Sequence, residues 1–260
     1  MDLALFGVQK LELFILVLVR TAAIFTLTPI FGANQVPPHV RIAVALALTM
    51  VFVPMVTPAG GLPADVLTMA AMVAREACVG ITIGFVCSLV FAAIQIAGQY
   101  IDLQAGFSFG SMLDPAFNSQ TAVAGRFHQL LAGLLFFATN AHHVMIRGVA
   151  DSFDLAPVGQ LAMNPAMTGG MVDLFSSLFA MAMRIAVPVV AAVFLADVAL
   201  AITARVVPQM NVLIVGLPLK LGVGLVGMVI AVPMVASMSE GMFGDMYHQM
   251  GNMVRLLAVH

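Results

Sequence analysis

Six apolar runs, each close to the length of a membrane crossing, constrain this chain more than any other feature. They cover residues 11–30, 40–57, 66–98, 124–146, 174–203 and 213–238. A helix needs about 20 mostly apolar residues to cross the hydrocarbon of a bilayer. Inside that layer the backbone must satisfy its own hydrogen bonds, and a helix does so within one segment. The stretches between the runs are rich in breakers: "TPIFGANQVPPHVR", "PAGGLPAD", "GQYIDLQAGFSFGSMLDPAFNSQ", "DSFDLAPVGQLAMNPAMTGG" and "VVPQMNVLIVGLPLK". Proline stops helices and restricts the residue before it, so each stretch is predicted to be a reversal or a break.

The rest of the chain has too few charges to make a soluble surface. Of the 260 residues 62% are hydrophobic and 8% charged, against about a quarter charged in an ordinary soluble domain. A net charge of −2 leaves no basic footprint for nucleic acid. With no tryptophan and two tyrosines, an aromatic belt is weak or missing. Leu13 to Val19 is apolar, but Arg20 interrupts it and no small-residue cleavage site follows, so this first run is expected to stay in the protein. The reading is an all-α integral membrane protein of helical hairpins. It has about six apolar helices, some kinked or broken, in one domain over residues 1–260. Pro188 and Pro233 are expected to kink their helices rather than end them.

Arg20, Glu76, Arg184 and Asp197 fall inside apolar runs. Charges there normally face protein or water. They either snorkel or pair within this chain, or they face partner subunits or a wet lumen. Asp197 and Arg205 are spaced to share one side of a helix, as are Glu12 and Arg20. Arg75 and Glu76 are adjacent and do not face each other. Gly80, Gly84 and Ser88 form a small-residue stripe extended by Glu76, which lets another helix approach closely. Cys78 and Cys87 lie about 13 Å apart on one predicted helix, too far for a disulfide, and are expected to be buried free thiols. The 20 methionines suit ordinary core filling, with a few available for an adaptable surface.

No phosphate loop, dinucleotide fingerprint or nucleophile elbow is present. The adjacent pair His142–His143 points in two directions on a helix and chelates one ion badly. Asp151 and Asp154 are spaced to accept hydrogen bonds or cap a helix, and nothing places them in a cleft. The expectation is therefore no enzyme, no metal and no cofactor.

The order of several motifs resembles one family over nearly the whole chain. Arg20 is followed by Pro29, Gly32, Pro37 and Arg41. Then come Gly98, Ile101, Asp102, Gln104, Gly106 and Phe107, and after them Asp114–Pro115. Phe136, Asn140, His142, Ser152, Phe153 and Pro157 follow. The strongest block is "PQMNVLIVGLPLK", from Pro208 through Asn211, Gly216 and Pro218 to Lys220. Together these resemble the FliR family of the bacterial flagellar export gate and its injectisome counterpart, of the SctT type. Ala141 departs from the pattern, which tends to have glycine in an Asn-Gly-His turn.

The resemblance implies a subunit of the flagellar or type III protein export gate in the bacterial inner membrane, at the flagellar basal body. It implies FliP-like and FliQ-like partners in a hetero-oligomeric, cone-shaped gate in which one FliR-like chain completes a ring. It further implies FlhB-like and FlhA-like components, membrane lipid around the assembly, and unfolded substrates passing through its centre. The loop after the third apolar run would project inward and plug the closed channel, with Gly106, Phe107, Phe109, Gly110, Asp114 and Phe117 as its plug residues. Asp102 and Asp114 would fix its shape by accepting hydrogen bonds from backbone amides. Arg20, Glu76, Gly80, Gly84, Asp197, Arg205 and Lys220 would be the subunit-packing or intramembrane polar set. Arg41, Arg126, Arg205 and Lys220 would mark the cytoplasmic side. Two rivals stay open. One is a secondary transporter of small solutes using Glu76 and Asp197 at its midplane. The other is a scaffold with no lining role.

Overall fold

The computed structural model describes residues 2–32, 36–56, 65–107, 123–162 and 164–258. Most of these are helical, with no strand among the described residues. Helix α1 is Asp2–Leu27, α2 a short turn at Pro29–Gly32 and α3 Pro38–Phe52, closed by a 3-10 turn at Val53–Met55. Helix α4 is Val66–Ala105, α5 Val123–Ala138 and α6 Ala141–Leu155. Helix α7 is Met167–Val206 and α8 Val212–Leu257.

Among the described residues four helices are long and apolar enough to cross a membrane: α3 with its 3-10 turn, α4, α7 and α8. The pair α5–α6 makes a fifth if it counts as one span. The expectation of about six spans is thus approximate, with α1 a further long helix carrying Lys10, Glu12 and Arg20.

Two of the expected boundaries need correction. The run 124–146 is not one helix, because it breaks after Ala138. There Asn140 takes a left-handed φ of 57°, a conformation that asparagine tolerates because its short polar side chain bonds locally. The left-handed residue is Asn140 itself, so Ala141 enters α6 without needing glycine's freedom. The stretch "VVPQMNVLIVGLPLK" breaks only in its first part. Helix α8 begins at Val212 and runs on through Pro218 and Pro233, as α7 does through Pro188. One proline removes a single backbone bond, and a long apolar helix whose neighbours pack well survives that loss.

The chain forms two compact units. The first takes residues 1–90, 140–175 and 243–260. Its core sets Leu16, Val17 and Ile24 of α1 against Val79, Ile83 and Val86 of α4, with Met145 and Val149 of α6 and Met246 and Met250 of α8. The small-residue stripe packs here. A Cβ on Gly80 would lie 2.5 Å from the Arg20 carbonyl oxygen, and one on Gly84 would lie 2.9 Å from the Leu27 Cβ. Hydrogen side chains at these two positions let α1 and α4 touch backbone to backbone. Both cysteines are free, but only Cys87 is buried, since Cys78 turns outward. Cys87 Sγ lies 3.7 Å from Met250 Sδ, and the Met250 methyl fits against Gly148, the gap-filling use of methionine.

The second unit takes residues 91–139 and 176–242. Ile94, Ala97 and Ile101 of α4 meet Ala132 and Phe136 of α5, Ala182, Ile185, Val189 and Val193 of α7, and Ala231 and Val235 of α8. Phe91 and Phe136 stack edge to face at 5.6 Å.

Candidate functional site

The segment singled out in the sequence leaves the second unit at the end of α4 and returns at the start of α5. Its flanks carry a specific geometry. Gly98 and Asp102 are one turn apart on α4 and face the first turn of α5. A Cβ on Gly98 would collide with the backbone of Gly125. The close approach lets the Asp102 carboxylate reach two amides that a helix start leaves unpaired. Oδ1 accepts from the Ala124 N–H at 2.9 Å and Oδ2 from the Gly125 N–H at 3.1 Å. Asp102 is 1% exposed, so these are charge-assisted bonds shielded from water.

The exit of α4 is fixed by the same residue. The N–H groups of Gly106 and Phe107 both donate to the Asp102 carbonyl oxygen, each at 3.1 Å. Gly106 has φ +83°, the left-handed turn that ends many helices and that glycine adopts without a Cβ penalty. A Cβ on Gly224 of α8 would lie 2.7 Å from the Ala105 Cβ and 3.5 Å from the Phe107 ring. Phe107 is therefore seated against α8 and half-buried. Gln104 Nε2 donates to Asp197 Oδ2 at 3.2 Å, and Lys220 Nζ lies 2.9 Å from Asp197 Oδ1. The polar groups of α4, α7 and α8 thus meet directly beside the α4 exit.

The set expected from the sequence is placed unevenly. Gly106 and Phe107 stand at the stem, while Phe109, Gly110, Asp114 and Phe117 lie outside the described residues. Asp197 pairs with Lys220 and Gln104 rather than with Arg205, which is exposed in the last turn of α7. Equal helical angle was not enough, because Asp197 points to α8 while Arg205 lies two turns further along α7. Asp102 does bond backbone amides, those at the start of α5. Gly98, Gly125 and Gly224 were not singled out for this contact, and the one signal for it was the Gly98-to-Asp102 interval of one helical turn.

In the first unit Arg20 and Glu76 make a buried pair, with Nε 2.6 Å from Oε2 and exposures of 0% and 1%. Arg20 therefore does not pair with Glu12. Its other nitrogens donate to the Ser152 carbonyl at 2.9 Å, the Ser152 hydroxyl at 3.3 Å and the Ala156 carbonyl at 2.9 Å. Its guanidinium sits 4.3 Å above the Phe153 ring. The second oxygen of Glu76 accepts the Gly159 N–H at 2.8 Å, and Arg75 donates to the Gly159 carbonyl at 2.9 Å. Neighbours on α4 thereby hold the two peptide groups that flank Gly159. Gly159 has φ +83°. No cluster of three metal-ligating side chains occurs among the described residues.

Comparison with known proteins agrees with this frame. Residues 11–246 match the model for bacterial export proteins, family 1. The chain is 34% identical to the flagellar biosynthetic protein FliR of Bacillus subtilis over 95% of this chain and 96% of that one. It is 28% identical to FliR of Escherichia coli over 94% and 93%. It is also 28% identical to the Yop proteins translocation protein T of Yersinia pestis, over 82% of each. With the match running from α1 into the last third of α8, the chain belongs to bacterial export proteins, family 1, the FliR family.

Proposed function

We propose that residues 1–260 act as one subunit of a flagellar or type III protein export gate in the bacterial inner membrane, and that the segment after α4 plugs its channel. The observation that carries the reading is the stem. Asp102 ties the end of α4 to the start of α5, so a segment containing Phe107, Phe109 and Phe117 begins and ends at one fixed place. Irregular backbone at membrane depth is tolerated where it lines a cavity or is buried in protein. Apolar constrictions block water and ions by dewetting. A soft apolar seal also closes around unfolded chains of any sequence, which suits a conduit for varied substrates. FliP-like and FliQ-like subunits would complete the gate and FlhB-like and FlhA-like components the apparatus, at the flagellar basal body or its injectisome counterpart.

The solute-transporter reading lacks support because its two carboxylates are occupied. Glu76 is spent on Arg20 and Gly159, and Asp197 on Lys220 and Gln104. The test replaces Phe107 and Phe109 together with glycine. Ion conductance through resting membranes should rise while the assembly still forms. Wild-type conductance and wild-type export in that variant would show that the segment is not the seal.

A further inference from the structure

The end of α4 is held on two sides that differ in strength. Asp102 and Gln104 are about 200° apart around the helix, so they face opposite ways. On the α5 side the buried Asp102 carboxylate accepts two backbone amides. On the other side a single neutral amide, Gln104 Nε2, donates to Asp197 Oδ2 of α7 at 3.2 Å. Asp197 is aimed in turn by Lys220 of α8, whose Nζ lies 2.9 Å from Oδ1. The Asp197 and Lys220 side chains are 34% and 25% exposed. Water reaches a pair this open and weakens it.

The apolar contacts on this second side are also easily undone. Leu217, Lys220 and Gly224 fall on one face of α8, three and four residues apart. A Cβ on Gly106 would lie 3.0 Å from Leu217 Cδ1, and one on Gly224 would lie 3.5 Å from the Phe107 ring. Having only a hydrogen, Gly224 gives that ring a flat seat rather than an interlocking one. Asp197 and Lys220 stand at one level of the α7–α8 hairpin, about 12–14 Å from its turn. Between that level and the turn Leu200 and Gly216 are buried, and most other described residues are exposed. A small shift of the hairpin against α4 would therefore part Gln104 from Asp197 and draw Gly224 from under Phe107. The Asp102 contact, on the far side of α4, would survive it.

We propose that Gln104, Asp197 and Lys220 are positioning residues that form a releasable clasp on the plug. Closed, the clasp seats Phe107 against α8. Open, it frees the segment at its α4 root while Asp102 keeps the ends of α4 and α5 together. The proposal rests on the reading of the segment after α4 as the plug, and it adds what holds that plug shut.

The test uses the assembled gate in native membranes, with ion leak, export and recovery of the other subunits read together. Gln104→Leu removes the arm and leaves the ion pair, whereas Lys220→Met removes the pair. Each should raise resting leak about threefold, the scale of one partly exposed polar contact, with recovery unchanged. Lys220→Arg should leak like wild type. The exchange Asp197→Lys with Lys220→Asp should also return leak towards wild type, because the relocated ammonium can donate to the Gln104 amide oxygen. A cleavable bis-thiol linker supplies the converse, joining Gln104→Cys to Asp197→Cys in a Cys78→Ser background. It should stop export until it is cleaved. Wild-type leak from both Gln104→Leu and Lys220→Met, or wild-type export with the linker in place, overturns the clasp. The plug reading then stands if Phe107→Gly with Phe109→Gly still leaks. Wild-type leak from that pair as well overturns both.

Discussion

Replacing Glu76 tests the buried network with a defined order of effects. Its carboxylate does two things at once, balancing Arg20 and accepting the Gly159 N–H. Arg20 is fully buried and cannot find water if the carboxylate is lost. Removing one partner of a buried pair costs about 3–5 kcal/mol. Glu76→Gln incurs much of that loss but keeps an oxygen for Gly159. Glu76→Leu also strands the Gly159 N–H, adding about 1–3 kcal/mol. The glutamine variant should therefore lie between the wild type and the leucine variant. The double change Arg20→Met with Glu76→Leu removes both charges but leaves the Gly159 amide and the Ala156 carbonyl short of partners, while the Ser152 carbonyl keeps the Ala156 N–H. It should recover part of the loss and not all of it, although apolar replacement of buried pairs is often neutral elsewhere. Steric-trap unfolding in lipid bicelles reads these differences directly. If the glutamine and leucine variants both unfold within about 0.5 kcal/mol of wild type, a value below any single term above, the network is not holding α1, α4 and the 156–159 turn together.

Other substitutions separate packing from sealing. Gly80→Ala places a methyl against backbone at 2.5 Å and should cost about 1–3 kcal/mol, read as earlier thermal aggregation in detergent. Gly106→Ala forces a left-handed alanine at φ +83° and should cost about 1–2 kcal/mol in the same assay. Asp102→Ala strands two amides at the start of α5. It should cost about 1–2 kcal/mol and raise ion leak through the resting gate, whereas Asp102→Asn, which keeps one acceptor, should leak less. Equal leak from the alanine variant and wild type would separate the stem from the seal.

Much of the helical frame was legible because the bilayer imposes one demand, a long apolar run, and breakers mark where each run ends. Six runs gave the helices, but not their ends. Helix α4 continues to Ala105 through Asp102 and Gln104, because those two side chains found partners on α5 and α7 that no linear pattern displays. The run 124–146 hid the break at Asn140 because long apolar stretches flank Thr139, Asn140, His142 and His143, and only the turn of the family pattern marked it. The Gly80–Gly84 stripe was readable as a close contact, since only small side chains permit one. Its partner was not, because any helix would serve. Charge pairing was the least legible. Glu12 and Asp197 looked suitable for Arg20 and Arg205 by angle, yet the actual partners, Glu76 and Lys220, come from other helices.

The Asp102 staple also bears on how this protein can vary over evolutionary time. Once the residues before and after a segment are tied to each other, the ordering cost of what lies between grows only logarithmically with its length. Doubling the insert costs about 0.6 kcal/mol. The closure cost of the stretch between Phe107 and Val123 therefore depends little on its length, because Asp102, Ala124 and Gly125 keep α4 and α5 in register.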